Sequence, residues 1–167
     1  MTIRDEATAD LDAIRQVNRA AFRRDVERQL VDRLRDERLI SRSRVAEEAG
    51  RIVGHILFSS VSIEGENLTT AVASLAPMAV DPDYQRRGIG SALVKDGIEA
   101  CRQDGWPAII VVGHPYYYLR FGFSPQIVAH LKSPYAGEAF MGLELIPGAL
   151  TTVQGAVRYP SAFELFS

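Results

Sequence analysis

The chain has 167 residues, of which 47% are apolar, so its length suits one domain with a sizeable core. The net charge is -2, and the interspersed basic and acidic residues exclude the single-signed basic surface of a nucleic-acid-binding protein. A single cysteine, Cys101, excludes an internal disulfide and a thiolate metal site. Neither a signal peptide nor a run of about 20 apolar residues is recognisable. We therefore expect one cytoplasmic domain over residues 1–167, with no metal, membrane or nucleic-acid partner.

The first half of the chain predicts a short strand, two helices and three antiparallel strands. The strand is expected over residues 1–4 and the helices over residues 9–22 and 25–38, with Thr8 as N-cap of the first helix. Further strands are expected over residues 44–48, 51–63 and 69–80. Ala49-Gly50 and Gly65-Glu66-Asn67 are turn sequences that would join these three strands.

The second half predicts a helix, a buried strand, a short helix and further strands. The two helices are expected over residues 91–102 and 115–120, ending at Asp104-Gly105 and Gly122. The continuous apolar run 108–112 is typical of a strand covered on both faces. Because a helix precedes this run, we expect a right-handed crossover to a parallel strand. Residues 140–145 and 153–157 are expected to form the last strands.

A glycine-containing loop, Gln85-Arg86-Arg87-Gly88-Ile89-Gly90, lies between the third of these strands and the helix that starts at Ser91. Glycines let the backbone approach an anion closely, and the first N–H groups of a helix lack acceptors and carry about half a positive charge. Arg86 and Arg87 add two cations. The loop therefore predicts a diphosphate site, with glycines that only shape the turn as the alternative.

Two other phosphate-binding motifs do not fit this loop. A P-loop needs Lys and Ser or Thr after its last glycine, whereas Gly90 is followed by Ser91-Ala92. A dinucleotide fingerprint needs a third Gly or Ala at the position that Leu93 occupies. The sequence therefore indicates neither a kinase nor an ATPase.

Two segments resemble the acetyl-CoA-dependent N-acetyltransferases of the GNAT superfamily. Residues 76–90 resemble the family's central strand and its diphosphate loop, Gln/Arg-x-x-Gly-x-Gly/Ala. Tyr118-Leu119-Arg120-Phe121-Gly122-Phe123 resembles the second signature, Tyr-x-x-x-Gly-Phe. The two motifs in this order are far more specific than either alone. More narrowly, residues 116–123, 138–141 and 147–150 are similar to a bacterial subgroup of the YhbS type, whose substrates are largely undefined.

The resemblance implies an α/β (α+β) fold with a mixed, mostly antiparallel central sheet, splayed between the fourth and fifth strands and flanked by about four helices. Pro77 fits a splayed strand, because proline removes a ladder donor; an ordinary strand bend is the alternative. Acetyl-CoA would be the cosubstrate. The backbone of Met78, Ala79 and Val80 would bind its pantetheine arm, and Gln85, Arg86, Arg87, Gly88, Ile89, Gly90 and Ser91 would bind its diphosphate.

Acetyl transfer to an amine needs a neutral amine, a stabilised oxyanion and a proton for the departing thiolate. The resemblance implies that Tyr118 is the general acid, and a phenol with a pKa near 10 suits an alkyl thiolate. Packing of Tyr116, Tyr117 and Tyr118 beneath the sheet is the structural alternative. A backbone N–H between Met78 and Val80 would stabilise the oxyanion.

The general base is less evident from the sequence. Many family members carry a glutamate on the fourth strand, whereas residues 73–76 contain none. We expect Ser74 to orient a water that takes the proton; Glu64, Glu66 and His114 are alternatives. His114 is also typical of a loop-capping residue.

These observations predict an N-acetyltransferase that moves an acetyl group from acetyl-CoA to a primary amine of a small molecule, protein or peptide, by direct transfer in a ternary complex. A catalytically weak CoA-binding sensor or interaction module is the alternative, and a nucleotide-binding domain is a third. No sequence feature identifies the acceptor, and the protein is expected to be a monomer or a homodimer.

Overall fold

The computed structural model describes residues 1–166, which form a seven-stranded mixed sheet with the order β1-β2-β3-β4-β5-β6. The strands are β1 (Thr2–Asp5), β2 (Ile40–Glu48), β3 (Arg51–Glu64), β4 (Thr69–Val80), β5 (Ala108–Val112), β6 (Phe140–Glu144) and β7 (Ala156–Arg158). Strand β7 pairs with the end of β3. Only β4 and β5 are parallel, so the expected mostly antiparallel sheet is confirmed.

Four α-helices cover the two faces of the sheet. They are α1 (Leu11–Phe22), α2 (Val26–Asp36), α3 (Ile89–Gln103) and α4 (Pro115–Tyr118). Leu75 of β4 packs in one core cluster with Leu93 and Val94 of α3. Its neighbour Ala76 packs against the cluster that α1 and α2 contribute. Because successive strand residues point to opposite faces, α3 lies on one face and α1 and α2 lie on the other.

Shorter 3-10 segments complete the described helical structure, at Thr8–Asp10, Pro82–Tyr84, Leu119–Phe121, Gln126–Val128 and Ser161–Phe166. No helix within residues 1–166 combines the length and the apolar character that crossing a membrane requires.

The start of α1 differs from the sequence prediction. Thr8 does not cap the helix, because it begins a 3-10 turn and α1 starts at Leu11. The Asp10 carboxylate accepts a hydrogen bond from the Ala7 N–H at 2.7 Å and pairs with Arg4 of β1 at 2.7 Å. This long-range ion pair holds the turn against the sheet, which a local capping pattern does not reveal.

The β2–β3 hairpin agrees with the prediction from Ala49-Gly50. Both residues have positive φ, 49° and 79°, which is the arrangement of a type I′ turn. Strand β2 begins at Ile40, earlier than expected, because residues 40–43 also pair with β3. Their polar side chains hid this extension, and β7 is likewise displaced from the expected range 153–157.

The sheet parts between β4 and β5 beyond Leu75. The parallel ladder joins Ala73 to Ile109, Ser74 to Ile110 and Leu75 to Val111, and it ends there. A register shift follows immediately in the β3–β4 ladder, between the pairs of Phe58 and Ile56, where β4 carries the additional residue of a bulge. From there to Val80, β4 pairs with β3 alone. The splay expected around Pro77 is therefore confirmed.

Candidate active site

The loop before α3 leaves several backbone donors free. Gly88 is the N-cap of α3 and has φ +82°. The first hydrogen bond of the helix runs from the Ala92 N–H to the Gly88 carbonyl at 3.0 Å. Among residues 1–166, no carbonyl accepts from the N–H groups of Ile89, Gly90 or Ser91. These donors, at the positive end of a long helix, suit a diphosphate.

The side chain of Gln85 is used inside the protein. Its amide donates to the Val80 carbonyl at 3.0 Å, so it ties the loop to the end of β4. The Asp81 carboxylate accepts from the Asp83 N–H at 2.9 Å and pairs with Arg51 at 2.9 Å. The strand end and the loop are thus held together before any ligand binds.

Several cations surround this loop. Arg86 and Arg87 are exposed, as the sequence suggested. The Arg87 guanidinium lies 5.0 Å from the centre of the Tyr84 ring, and Arg51 lies 5.5 Å from the same ring. Stacking on Tyr84 restricts both arginines to the neighbourhood of the loop.

Arg120 is a further cation, to which the sequence analysis gave no role. Its guanidinium donates to the Ser91 hydroxyl at 2.9 Å and to the Tyr117 carbonyl at 3.2 Å. It also stacks over the rings of Tyr117 and Phe121, at 4.7 Å and 5.0 Å. The only sequence signal was its place inside the Tyr-x-x-x-Gly-Phe signature.

Gly90 is required by packing. A Cβ at this position would lie 2.7 Å from the Tyr117 hydroxyl and 3.4 Å from Met78 Cε. Gly88 is different, because a Cβ there would meet nothing within 4 Å. The structural interpretation of the glycines therefore applies to Gly90, whereas Gly88 faces open space beside the free donors.

Tyr118 combines a packed ring with an uncommitted hydroxyl. The ring makes edge-to-face contacts with Phe123 at 5.8 Å and Tyr117 at 5.0 Å, and it lies close against Gly113. No residue within 1–166 makes a hydrogen bond to its hydroxyl. Burial, and then the proximity of Tyr117, raise the pKa of Tyr118 well above its usual value. The phenol therefore stays protonated and able to donate.

Ser74 lies at the edge of the splay, on the α1 and α2 face of the sheet. It is 3% exposed, and the next residue along β4, Leu75, makes the last pair with β5. It is therefore buried beside the point where the two strands part.

The acidic alternatives to Ser74 lie at the wrong end of the sheet. Glu64 pairs with Thr69 at the β3–β4 hairpin, and its carboxylate pairs with Arg158 at 3.2 Å. Six residues of β4 separate Thr69 from Leu75, which corresponds to about 20 Å. Glu64 and Glu66 are thus too distant from the splay to serve as the base.

His114 is the N-cap residue of α4, and its carbonyl accepts from the N–H groups of Tyr117 and Tyr118 at 3.1 Å and 3.2 Å. These bonds agree with the capping interpretation of this residue.

The other two histidines have structural partners. The Asn18 amide nitrogen donates to the Ile14 carbonyl at 2.9 Å and contacts His55 Nδ1 at 3.0 Å, so Nδ1 is the acceptor. Nε2 then carries the hydrogen and donates to the Ser43 hydroxyl at 2.9 Å. Burial lowers the pKa of His55 to about 3. His130 Nε2 lies 2.8 Å from the Val153 carbonyl and 3.0 Å from that of Leu150.

Cys101 is buried within α3, and burial raises the pKa of its thiol to about 12, which suits a packing residue. Within the described residues, no three His, Cys, Asp or Glu side chains are grouped as metal ligands.

Comparison with known proteins decides the family. A family model described as "Acetyltransferase (GNAT) domain" matches residues 2–126. The chain belongs to this family. This GNAT acetyltransferase is therefore an acyltransferase, and the relationship inferred from the two motifs is confirmed.

Individual relatives cover nearly the whole of this GNAT acetyltransferase. A protein described as "Uncharacterized N-acetyltransferase YhbS" from Escherichia coli strain K12 is 33% identical over 171 residues, covering 99% of this chain and 100% of the relative. The crystal structure of YhbS from Escherichia coli in complex with CoA has a TM-score of 0.91, with 32% identity, and covers 99% of this chain and 93% of that one. A GNAT family acetyltransferase from Brucella melitensis in complex with acetyl-CoA has a TM-score of 0.81 and 35% identity, covering 97% of both chains. The YhbS-like character is thus confirmed.

Proposed function

We propose that this protein transfers an acetyl group from acetyl-CoA to a primary amine, on a small molecule, a protein or a peptide, by direct transfer in a ternary complex. One observation carries the proposal: β4 and β5 separate beside a loop whose N–H groups are free. The CoA and acetyl-CoA complexes of the two structural relatives support the same coenzyme here.

The coenzyme would lie along the unpaired edge of β4. Past Leu75 this edge has no β5 partner, so the backbone of Met78, Ala79 and Val80 is available to the pantetheine amides. The Val80 carbonyl already accepts from Gln85, which leaves the other backbone groups of the segment as ligands. The diphosphate would bind the N–H groups of residues 88–91, with Arg86, Arg87 and Arg120 supplying positive charge.

The chemistry would follow from the groups around the splay. The amine lone pair attacks the thioester carbon, and a main-chain N–H of Met78, Ala79 or Val80 stabilises the oxyanion. The C–S bond then breaks, and the Tyr118 hydroxyl donates its proton to the departing thiolate. Ser74 would orient a water that accepts the amine proton, because the strand offers no carboxylate.

Release of free CoA from acetyl-CoA, measured with a panel of primary amines, tests this function. At least one amine should give release well above the rate of hydrolysis without an acceptor. Calorimetric binding of CoA with no amine-dependent release would instead favour the sensor, which the missing strand glutamate otherwise recommends. Stabilisation by ATP or NAD but not by CoA would favour a nucleotide-binding domain.

A further inference from the structure

Two serines face each other across the sheet at the point where it begins to part. Ser59 of β3 and Ser74 of β4 are directly opposite in the antiparallel ladder. They are 0% and 3% exposed. Ser74 also pairs with Ile110 of β5, one residue before the last β4–β5 pair. A pair of hydroxyls thus lies inside the sheet, immediately beside the splay.

The Ser59 hydroxyl has no hydrogen-bonding partner among residues 1–166, although its oxygen is buried. An unsatisfied buried hydroxyl costs about 1–3 kcal/mol, so its presence in the middle of a strand needs a reason. The Cβ atoms of directly opposite strand residues are about 4.5–5.5 Å apart. This spacing admits one water that bonds both hydroxyls at about 2.8 Å.

The pair lies on the face from which an acceptor can approach. Ala73 and Leu75, the neighbours of Ser74, point into the α3 core. Ala76 points to the α1 and α2 face, as Ser74 does, and is half-buried. This face is therefore accessible to solvent next to the serines, exactly one residue pair from the unpaired edge of β4.

We propose that Ser59 and Ser74 together hold the water that takes the proton of the acceptor amine, an inference that rests on the proposed function. The N–H bond of the ammonium breaks, and its electron pair stays on nitrogen and forms the new C–N bond. The proton passes to the held water, which releases a proton to solvent beside Ala76. Ser59 acts through the water, so it is a positioning residue that replaces part of the missing glutamate.

Variants Ser59→Ala and Ser74→Ala test the pair through the pH dependence of kcat/KM, with an acceptor taken from the amine panel. Each should lower kcat/KM about tenfold or more at pH 7. The deficit should shrink toward pH 10, because an amine with a pKa near 10 is then largely neutral without help. The double variant should be no worse than the worse single variant, since both serines hold one water.

Ser60→Ala is the matched control. Ser60 is adjacent in β3 but pairs with Ala73, whose side chain belongs to the opposite face, and it is half-buried. Its removal should leave the pH profile unchanged.

Three results would overturn the proposal: unchanged kcat/KM in both single variants, a deficit that is equal at every pH, or additive effects in the double variant. A rise in melting temperature of Ser59→Ala at wild-type activity would also show an orphan hydroxyl with no ligand. Failure of the proposed function looks different, because the wild-type protein itself would then release no CoA with any amine. Diffraction at high resolution still decides in that case: one water bonded to both hydroxyls is expected, and its absence would reject the pair.

Discussion

Arg120 donates a hydrogen bond to the Ser91 hydroxyl at 2.9 Å across 29 residues of sequence. The bond connects the segment after α4 to the first turn of α3, so the two signature segments form one site. A cation beside the positive end of a helix is unfavourable unless an anion lies between them. The arrangement therefore favours an anionic ligand, such as a diphosphate, at this turn.

Replacing Arg120 by Gln should weaken CoA binding about tenfold, because a charge-assisted contact to phosphate is lost. The KM for an acetyl thioester that lacks phosphates should stay unchanged. Calorimetry with CoA and kinetics with acetyl-N-acetylcysteamine measure the two quantities. Arg102→Gln, at the opposite end of α3, is the control. An equal loss with both thioesters would contradict the diphosphate role.

Gly88→Ala should reduce CoA affinity while the protein still folds. At φ +82°, a Cβ costs about 1–2 kcal/mol in backbone strain, and it would project into open space beside the free N–H groups. Gly105→Ala is matched to it, since Gly105 has φ +85° and an equally open surround. Both variants should lose similar thermal stability, but only Gly88→Ala should lose the stabilisation that CoA provides. Normal CoA-induced stabilisation in Gly88→Ala would count against the loop assignment.

Tyr118→Phe should lower kcat about 100-fold with little change in the Kd of CoA, because the ring contacts remain and only the proton donor is lost. Since burial raises the pKa of this phenol, the wild-type rate should not fall between pH 7 and pH 10 through its ionisation. Tyr116→Phe is the control, because Tyr116 is 91% exposed. Stopped-flow detection of CoA release gives the rates, and an unchanged kcat would reject the acid role.

His55 should make the protein sensitive to acid. Its pKa is about 3 when folded and near 6.5 when unfolded, so the unfolded chain binds an additional proton between these values. Stability is then greatest above pH 6.5 and decreases as the pH falls, by about 1.4 kcal/mol per pH unit. Urea unfolding at pH 7 and pH 5 should show this slope in His114→Ala as well, and a flatter one in His55→Gln. An equal slope in all three proteins would assign the acid sensitivity to carboxylates.

Much of the fold was predictable because its signals are local. The Ala49-Gly50 turn, the apolar run of β5 and the glycine loop before α3 each depend on neighbouring residues alone, and the structure agrees with them. The proline in β4 indicated where pairing fails, since a residue without an N–H cannot continue a ladder. Thr8 was misjudged because the competing partner of that turn, Arg4, lies on a strand.

The candidate site divides along the same line. Sequence alone determined the anion loop and the tyrosine signature, because both are contiguous segments whose chemistry follows from their own backbone and side chains. Only the tertiary structure decided that Arg120 reaches Ser91, that Ser59 faces Ser74, and that Glu64 is about 20 Å away from the splay. Such relations depend on strand register and on the packing of α4 against α3, and a shift of one residue in β3 would turn Ser59 to the other face.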